Sequence, residues 1–286
     1  MKRALFLFLL FFSFALALKP AWEGEIEEDE DVVLNNQESK TVILKRKPDE
    51  EGNIFKQQEG SRGLIYRTSD GGSSTLTLQK DPSLNADMSY YIESVIQVYS
   101  GSHLIMNLDS IGGQGLFGVY GGSILADGST VEINNVDVLI NKDNTFSATI
   151  KNLDSTLYID ADVYNYDKEN SRGGGRLEHN GENAQTTIDG SFYNAGFKSG
   201  SGSRQDALVH INGGTFTVNG NFENGKNDTY ASSDYYGVGN VKADNGALIT
   251  VNGNFISNAQ GDSFLLSDTR SSVDLNNANL VVKGKI

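Results

Sequence analysis

The 286-residue sequence contains no cysteine, which excludes disulfides, thiolate nucleophiles and cysteine-based metal sites. A chain of this size without bridges is held by packing and hydrogen bonding alone, unlike small secreted domains in which disulfides substitute for a core. Proline is nearly as scarce, at three residues against 32 glycines, a ratio that argues for many tight turns and few helices. Histidine also occurs only three times, as His103, His179 and His210, each isolated in sequence. No two stand at metal-ligand spacing, so neither a zinc site nor a histidine acid–base pair is supported, and no cofactor is expected. His210 alternates with Val209 and Ile211 and is expected to point outward from a strand. There is no Gly-x-Ser-x-Gly elbow and no phosphate-binding loop in a strand-to-helix context. Gly112-Gly113-Gln114-Gly115 offers turn glycines only, without the aspartates of calcium-binding repeats.

Positive charge is in short supply as well, with 23 Lys and Arg against 37 Asp and Glu. Two of the cations, Lys2 and Arg3, precede an apolar run from Ala4 to Phe14 and then Ala15-Leu16-Ala17, the small-x-small pattern of a signal peptidase site. Residues 1–17 are therefore expected to be a signal peptide; a retained anchor is the alternative, disfavoured by Lys19 and Pro20. Cleavage after Ala17 removes both cations and no acidic group, taking the formal net charge from −14 to −16. That balance repels nucleic acid and anionic membranes. An exported, cysteine-free, acidic chain of this length fits a bacterial envelope or secreted protein.

Seven of the nine residues from Glu23 to Asp31 are acidic, too dense a like charge to pack, so residues 18–62 are expected to form a largely disordered acidic leader. One apolar island, Thr41 to Leu44, is long enough to add a strand. From Gly63 onward the pattern is all-β, with Leu64-Ile65-Tyr66, Thr75 to Leu78 and Ile92 to Tyr99 separated by Gly and Ser clusters.

A phrase then recurs. Thr130 to Val136, Thr156 to Val163, Thr186 to Phe192, Leu208 to Phe216, Leu248 to Phe255 and Val273 to Leu280 each alternate apolar and polar residues, pass through Asn or Asp, often with Gly, and resume with an apolar residue. Val218-Asn219-Gly220-Asn221-Phe222 is identical to Val251-Asn252-Gly253-Asn254-Phe255. Alternation turns one strand face inward, and Asn-Gly supplies positive φ at a change of direction. Taking Ile133, Ile159, Ile188, Ile211, Val251 and Leu275 as equivalent, the successive differences in residue number are 26, 29, 23, 40 and 24. A floor near 23 with variable excess is expected of a coil of constant circumference carrying loop insertions, whereas a hairpin meander varies around ten or so. The expectation is a parallel β-solenoid over residues 63–286, of some seven coils at about 4.8 Å each, with amide ladders of the Asn134, Asn212 and Asn252 kind. An antiparallel sandwich is the alternative.

The excess residues fall at one place in the repeat, over Asn165 to Asn183, Gly196 to Asp206 and Gly225 to Asn245, so the insertions are expected on one side of the rod. They carry Tyr166, Phe197, Tyr230, Tyr235 and Tyr236 among Gly, Ser and Asp, the composition of adaptable contact surfaces. These five are the candidate binding-loop residues; folding back over the rod is their other reading. One enzymatic reading survives, a polysaccharide lyase or hydrolase in which Asp160 and Asp162 hold calcium and Arg172 or Arg176 is the base. Alternating Asp on a solvated strand face is, however, ordinary for an acidic surface.

The repeated x-(Ile/Val)-(Asn/Asp)-Gly-x-Phe phrase, the Gly, Asn and Ser richness, the missing cysteine and the signal peptide resemble the passenger domains of Gram-negative autotransporters, those similar to vacuolating cytotoxins above all. The resemblance is one of repeat style over about Gly63 to Ile286. It implies a right-handed parallel β-helix displayed at, or released from, the cell surface, acting non-catalytically in adhesion, host contact or toxin delivery. The partners it implies are a host-cell or extracellular surface ligand, or a second copy through open solenoid ends. A complete autotransporter continues into a C-terminal barrel; this sequence stops at Val281-Val282-Lys283-Gly284-Lys285-Ile286, so outer-membrane association is expected only through a missing or separate barrel.

Overall fold

The computed structural model describes residues 101–107, 123–134, 149–166, 175–195, 207–225, 239–257 and 271–286, together with strands at 31–34, 39–44, 65–68, 73–80, 90–92, 95–98, 116–120 and 138–142. Among these, every regular element is a β-strand, and all strand pairs are parallel. They form three sheets of nine, nine and seven strands. The first sheet runs from Asp31–Leu34 to Ser272–Asn276, the second from Ser39–Leu44 to Asn279–Val282, the third from Tyr90–Ile92 to Phe255–Ser257. In every sheet the next strand in sequence pairs beside the previous one, so the chain winds first, second, third, first: a parallel β-solenoid, as the sequence implies.

Parallel sheets are usually buried on both faces and read as continuous apolar runs. Here each sheet buries one face against the other two, and so each strand alternates. In Arg176–Asn180 the sequence RLEHN sends Leu177 and His179 inward and Arg176 and Glu178 outward. Stacking then aligns inward residues in columns. One column of the second sheet is Met106, Ile133, Ile159, Ile188, Val218 and Val251, all fully buried. In the third sheet Phe192, Phe222 and Phe255 stack with centroids 5.0 and 5.1 Å apart, and Phe216 of the second sheet meets Phe192 edge-on at 6.0 Å. Burying a ring of this size is worth about 2–3 kcal/mol in area alone.

The coil is longer than the phrase spacing suggests. Ile188 pairs with Val218, not Ile211, and Val251 pairs with Val282, not Leu275. Ile211 and Leu275 belong to the first sheet, in register with His179 and Ala243. The true column of the second sheet runs from Leu76 through Met106, Ile133, Ile159, Ile188, Val218 and Val251 to Val282. Its shortest step is Ile133 to Ile159 and its longest Val218 to Val251, so even the tightest coil exceeds the floor that the phrase implies. The apolar-Asn-Gly phrase occurs at two different corners of one coil, so equating all its copies merges two columns that the fold keeps apart.

The solenoid also starts before Gly63. Asp31–Leu34 pairs with Ile65–Thr68, and Ser39–Leu44 with Ser73–Lys80, so the span expected to be leader contributes strands to two sheets. Val32-Val33-Leu34 and Val42-Ile43-Leu44 supply the short apolar runs that the acidic run before them lacks. The two sheets are consequently nine strands deep, more than the seven coils expected.

Glycine serves two purposes at the corners. Between the first and second sheets it takes positive φ, at Gly128 (58°), Gly213 (85°), Gly214 (63°) and Gly246 (78°), with Asp154, Asn245 and Asn277 in the same region. Between the second and third sheets Gly190, Gly220, Gly253 and Gly284 form a column for a different reason. Each upper amide donates to the glycine carbonyl one coil below, Gly220 N to Gly190 O at 2.7 Å and Gly253 N to Gly220 O at 3.0 Å. A Cβ on Gly253 would stand 2.5 Å from Gly220 O. In the Val-Asn-Gly-Asn-Phe phrase the glycine is thus required by close approach of backbones.

Candidate functional site

The coil is tight at two corners and variable at the third. From the fourth coil on, first-to-second connections take two to four residues and second-to-third connections two or three. Connections from the third sheet back to the first lengthen along the rod over the spans 143–148, 167–175, 196–206 and 225–238, and 258–271 keeps the length of the last. All five leave the coil at one corner, where the sequence places its insertions. The structure trims their limits: Asp162–Tyr166, Arg176–Asn180 and Gly239–Asp244 are strands, and 258–271 is an insertion that the phrase register hid. Tyr166 closes the strand Asp162–Tyr166; Phe197, Tyr230, Tyr235 and Tyr236 lie outside the described residues.

What holds this corner is a buried asparagine ladder. Inward alternation places Asn165, Asn194 and Asn224 two residues after Val163, Phe192 and Phe222, in register, and none is exposed. Asn165 Nδ2 donates to Asn194 Oδ1 at 2.8 Å and Asn194 Nδ2 to Asn224 Oδ1 at 2.8 Å. The second proton of each amide crosses to a first-sheet strand one coil further on: Asn165 to Leu208 O (3.3 Å), Asn194 to Asn240 O (3.3 Å), Asn224 to Ser272 O (3.1 Å). Each amide therefore ties the strand before a loop to the strand after the next loop. Gly239 passes so close over the ladder that a Cβ there would lie 2.1 Å from Asn224 Oδ1. The roots of the insertions are clamped whatever their length.

Charge gathers on the outer face of the first sheet, beside these roots. Lys151, Glu178, His210, Lys242 and Asp274 form one column. Lys151 and Arg176 both pair with Glu178, at 3.1 and 3.0 Å. Lys242 and His210 both reach Asp244 Oδ2, at 2.9 and 3.0 Å, so His210 does point outward. The Lys242 ammonium, then the His210 imidazole, hold the Asp244 carboxyl below its ordinary value, and Asp244 raises Lys242 in return.

The remaining candidate groups are spread around the coil. Asp160 and Asp162 sit at the second-to-third corner, where Asp162 Oδ1 accepts Ser191 N at 2.6 Å, a corner-bracing role. Arg176 is on the first sheet and held by Glu178, and Arg172 lies outside the described residues. The fold therefore does not bring Arg176 and the two aspartates to one face. Among the described residues no group of three His, Asp or Glu could hold a metal. Exposed amide pairs exist, but not among Asn134, Asn212 and Asn252 themselves, since Asn212 and Asn252 stand at different corners: Asn245 Nδ2 donates to Asn212 Oδ1 and Asn252 Nδ2 to Asn219 Oδ1, both at 2.5 Å. On the outer face of the third sheet Tyr164 and Tyr193 stack 4.4 Å apart, 12° from parallel. Comparisons with known proteins return nothing: no protein-family model, no curated protein and no solved structure matches this chain.

Proposed function

We propose that this chain is an exported bacterial surface or secreted β-helix protein that presents a graded row of loops for contact with a host-cell or extracellular ligand, and that it works without catalysis. The observation that carries the reading is the division of labour within the coil. From Ser123 on, two corners stay short, while the third carries insertions that more than double between 143–148 and 258–271, above a buried clamp. A scaffold that fixes loop roots while leaving loop length free suits recognition, because affinity then resides in loop residues and not in the rod. The Tyr-, Gly- and Ser-rich content of 225–238 fits such a surface. Export rests on Lys2, Arg3, the apolar run and Ala15-Leu16-Ala17. The charged groups nearest the loop roots are already paired with one another, which suits a rigid support.

The test is to replace 225–238 and 258–271 each by a linker as short as 143–148 and measure adhesion of the purified protein to cell and matrix surfaces. Loss of adhesion with an unchanged β-sheet circular dichroism spectrum is expected. Undiminished adhesion of both variants overturns the reading.

A further inference from the structure

We propose that His179 is an acid-sensitive latch inside the rod, whose protonation breaks an Asn152–Thr186–His179 hydrogen-bond relay and loosens the coil spanning 175–195. His179 stands in an inward column of the first sheet, between Asn152 below and Ile211 above, and none of its surface is exposed. It is the one imidazole, carboxylate or amine that the described residues turn fully into the core.

The relay sets its tautomer. Ser155 N donates to Asn152 Oδ1 at 3.0 Å, which turns the Asn152 amide nitrogen onto Gln185 O (2.8 Å) and Thr186 Oγ1 (3.0 Å). Thr186 Oγ1 thus accepts from Asn152 and gives its single proton to His179 Nδ1, 2.9 Å away, the arrangement in which the ring proton lies on the side of the Gly213 and Ala184 carbonyls. Nδ1 is the acceptor and the ring proton sits on Nε2. Nε2 has no hydrogen-bond partner and faces the Gly213-Gly214 turn, where a Cβ on Gly214 would stand 2.8 Å from it. The Phe216 ring packs perpendicular to the imidazole and closes the site, centroids 6.0 Å apart.

A second proton has nowhere to go. Nδ1–H would confront a hydroxyl already committed as donor, so Thr186 must turn its proton away and the relay is lost. The new charge meets no counter-charge. The strands against the ring contribute Asn152, Thr186, Ile211 and Phe216, none of which ionises. Lys151, Arg176, Glu178 and His210 on neighbouring strands point to the outer face. At the adjoining corner Glu182 is exposed, and Asp154 is exposed with its carboxylate accepting Asn183 N. Burial accordingly lowers the imidazole from 6.5 to about 4; the carbonyls of Gly213 and Ala184 soften this without reaching hydrogen-bond geometry with Nε2.

The direction follows from linkage. The unfolded chain takes up the proton near pH 6.5 and the folded chain only near pH 4. The stability held by the neutral ring is present above about pH 6.5 and is lost as pH falls toward 4. Each unit in that window lowers the folding constant about tenfold, approaching about 300-fold in all.

The test uses the full chain and the variants His179→Leu and His179→Gln, with His210→Gln as control. Urea unfolding is followed between pH 7 and 4, with hydrogen exchange of 175–195 at both ends of the range. In the wild type and in His210→Gln the folding constant should fall by the decades above in excess of either His179 variant, and exchange in 175–195 should rise at low pH only where His179 is present. His179→Gln keeps an acceptor for Thr186 without a titrating group, so it reports if the Leu variant does not fold. An acid response of equal slope in the wild type and the folded variants assigns the loss to surface carboxylates and overturns the latch.

Discussion

Asn194 donates one amide proton to Asn224 Oδ1 at 2.8 Å and the other to Asn240 O at 3.3 Å, while its own Oδ1 accepts from Asn165. One side chain thus ties the third sheet to the first across three coils. Replacement by Asp turns two donating contacts into acceptor facing acceptor and buries a charge without a partner. Asn194→Asp is expected to destabilise by about 3–5 kcal/mol, and Asn194→Ala by about 1–3 kcal/mol. Urea unfolding at pH 7 distinguishes the two, and near-equal values would show that the ladder does not set the corner.

Two glycines of similar sequence context should respond differently to alanine. Gly253→Ala sets a Cβ 2.5 Å from Gly220 O in a backbone that cannot retreat without breaking the column, and about 2–4 kcal/mol is the expected cost. Gly246 has φ +78° with nothing within 4 Å, so Gly246→Ala carries only the left-handed strain of about 1–2 kcal/mol. Thermal unfolding of both variants checks the order.

Phe222 lies between Phe192 and Phe255 in the aromatic column and is fully buried. Phe222→Ala should cost about 3–5 kcal/mol, and Phe222→Leu much less because most of the volume is kept. Denaturation midpoints give both values.

Tyr158 donates its hydroxyl proton to Asp189 Oδ2 at 3.0 Å. Desolvation, and then this bond and the Asp189 charge, push the phenol up to about 12, while Asn219 and Tyr158 together hold Asp189 below its ordinary value. With the folded value above the unfolded 10, the bond's contribution is intact below pH 10 and fades as pH rises toward 12. Absorbance titration at alkaline pH should show a late-ionising tyrosine that is missing in Tyr158→Phe; identical curves would contradict the contact.

The fold class was legible because a solenoid buries a single face of each strand, and the alternation in segments such as Thr-Leu-Tyr-Ile is a local property. Register was not, since Ile211-Asn212-Gly213 and Val218-Asn219-Gly220 look alike yet occupy different corners, one needing positive φ and the other close backbone approach. The insertions were visible as excess length, and their common corner follows from the winding. The asparagine ladder escaped notice although its signature is present, an apolar residue followed two positions later by Asn at Val163, Phe192 and Phe222. In isolation such an Asn reads as surface, and only stacking makes it buried and satisfied. His179 escaped for the same reason: its strand mates Leu177 and Glu178 set the alternation, but its relay partner Asn152 comes from the coil below, far away in sequence.

The absence of native cysteine makes the stacking directly testable by cross-linking. Thr217 and Thr250 are outward partners on adjacent second-sheet strands, at a Cα separation of about 4.8 Å that suits a disulfide. Thr217→Cys with Thr250→Cys should oxidise to an intramolecular bridge in the folded protein. His210→Cys with Thr250→Cys, the pairing implied by the repeat phrase alone, should not, because His210 belongs to the first sheet. A bridge in the second pair and none in the first would contradict the three-sheet coil on which the loop-presenting role depends.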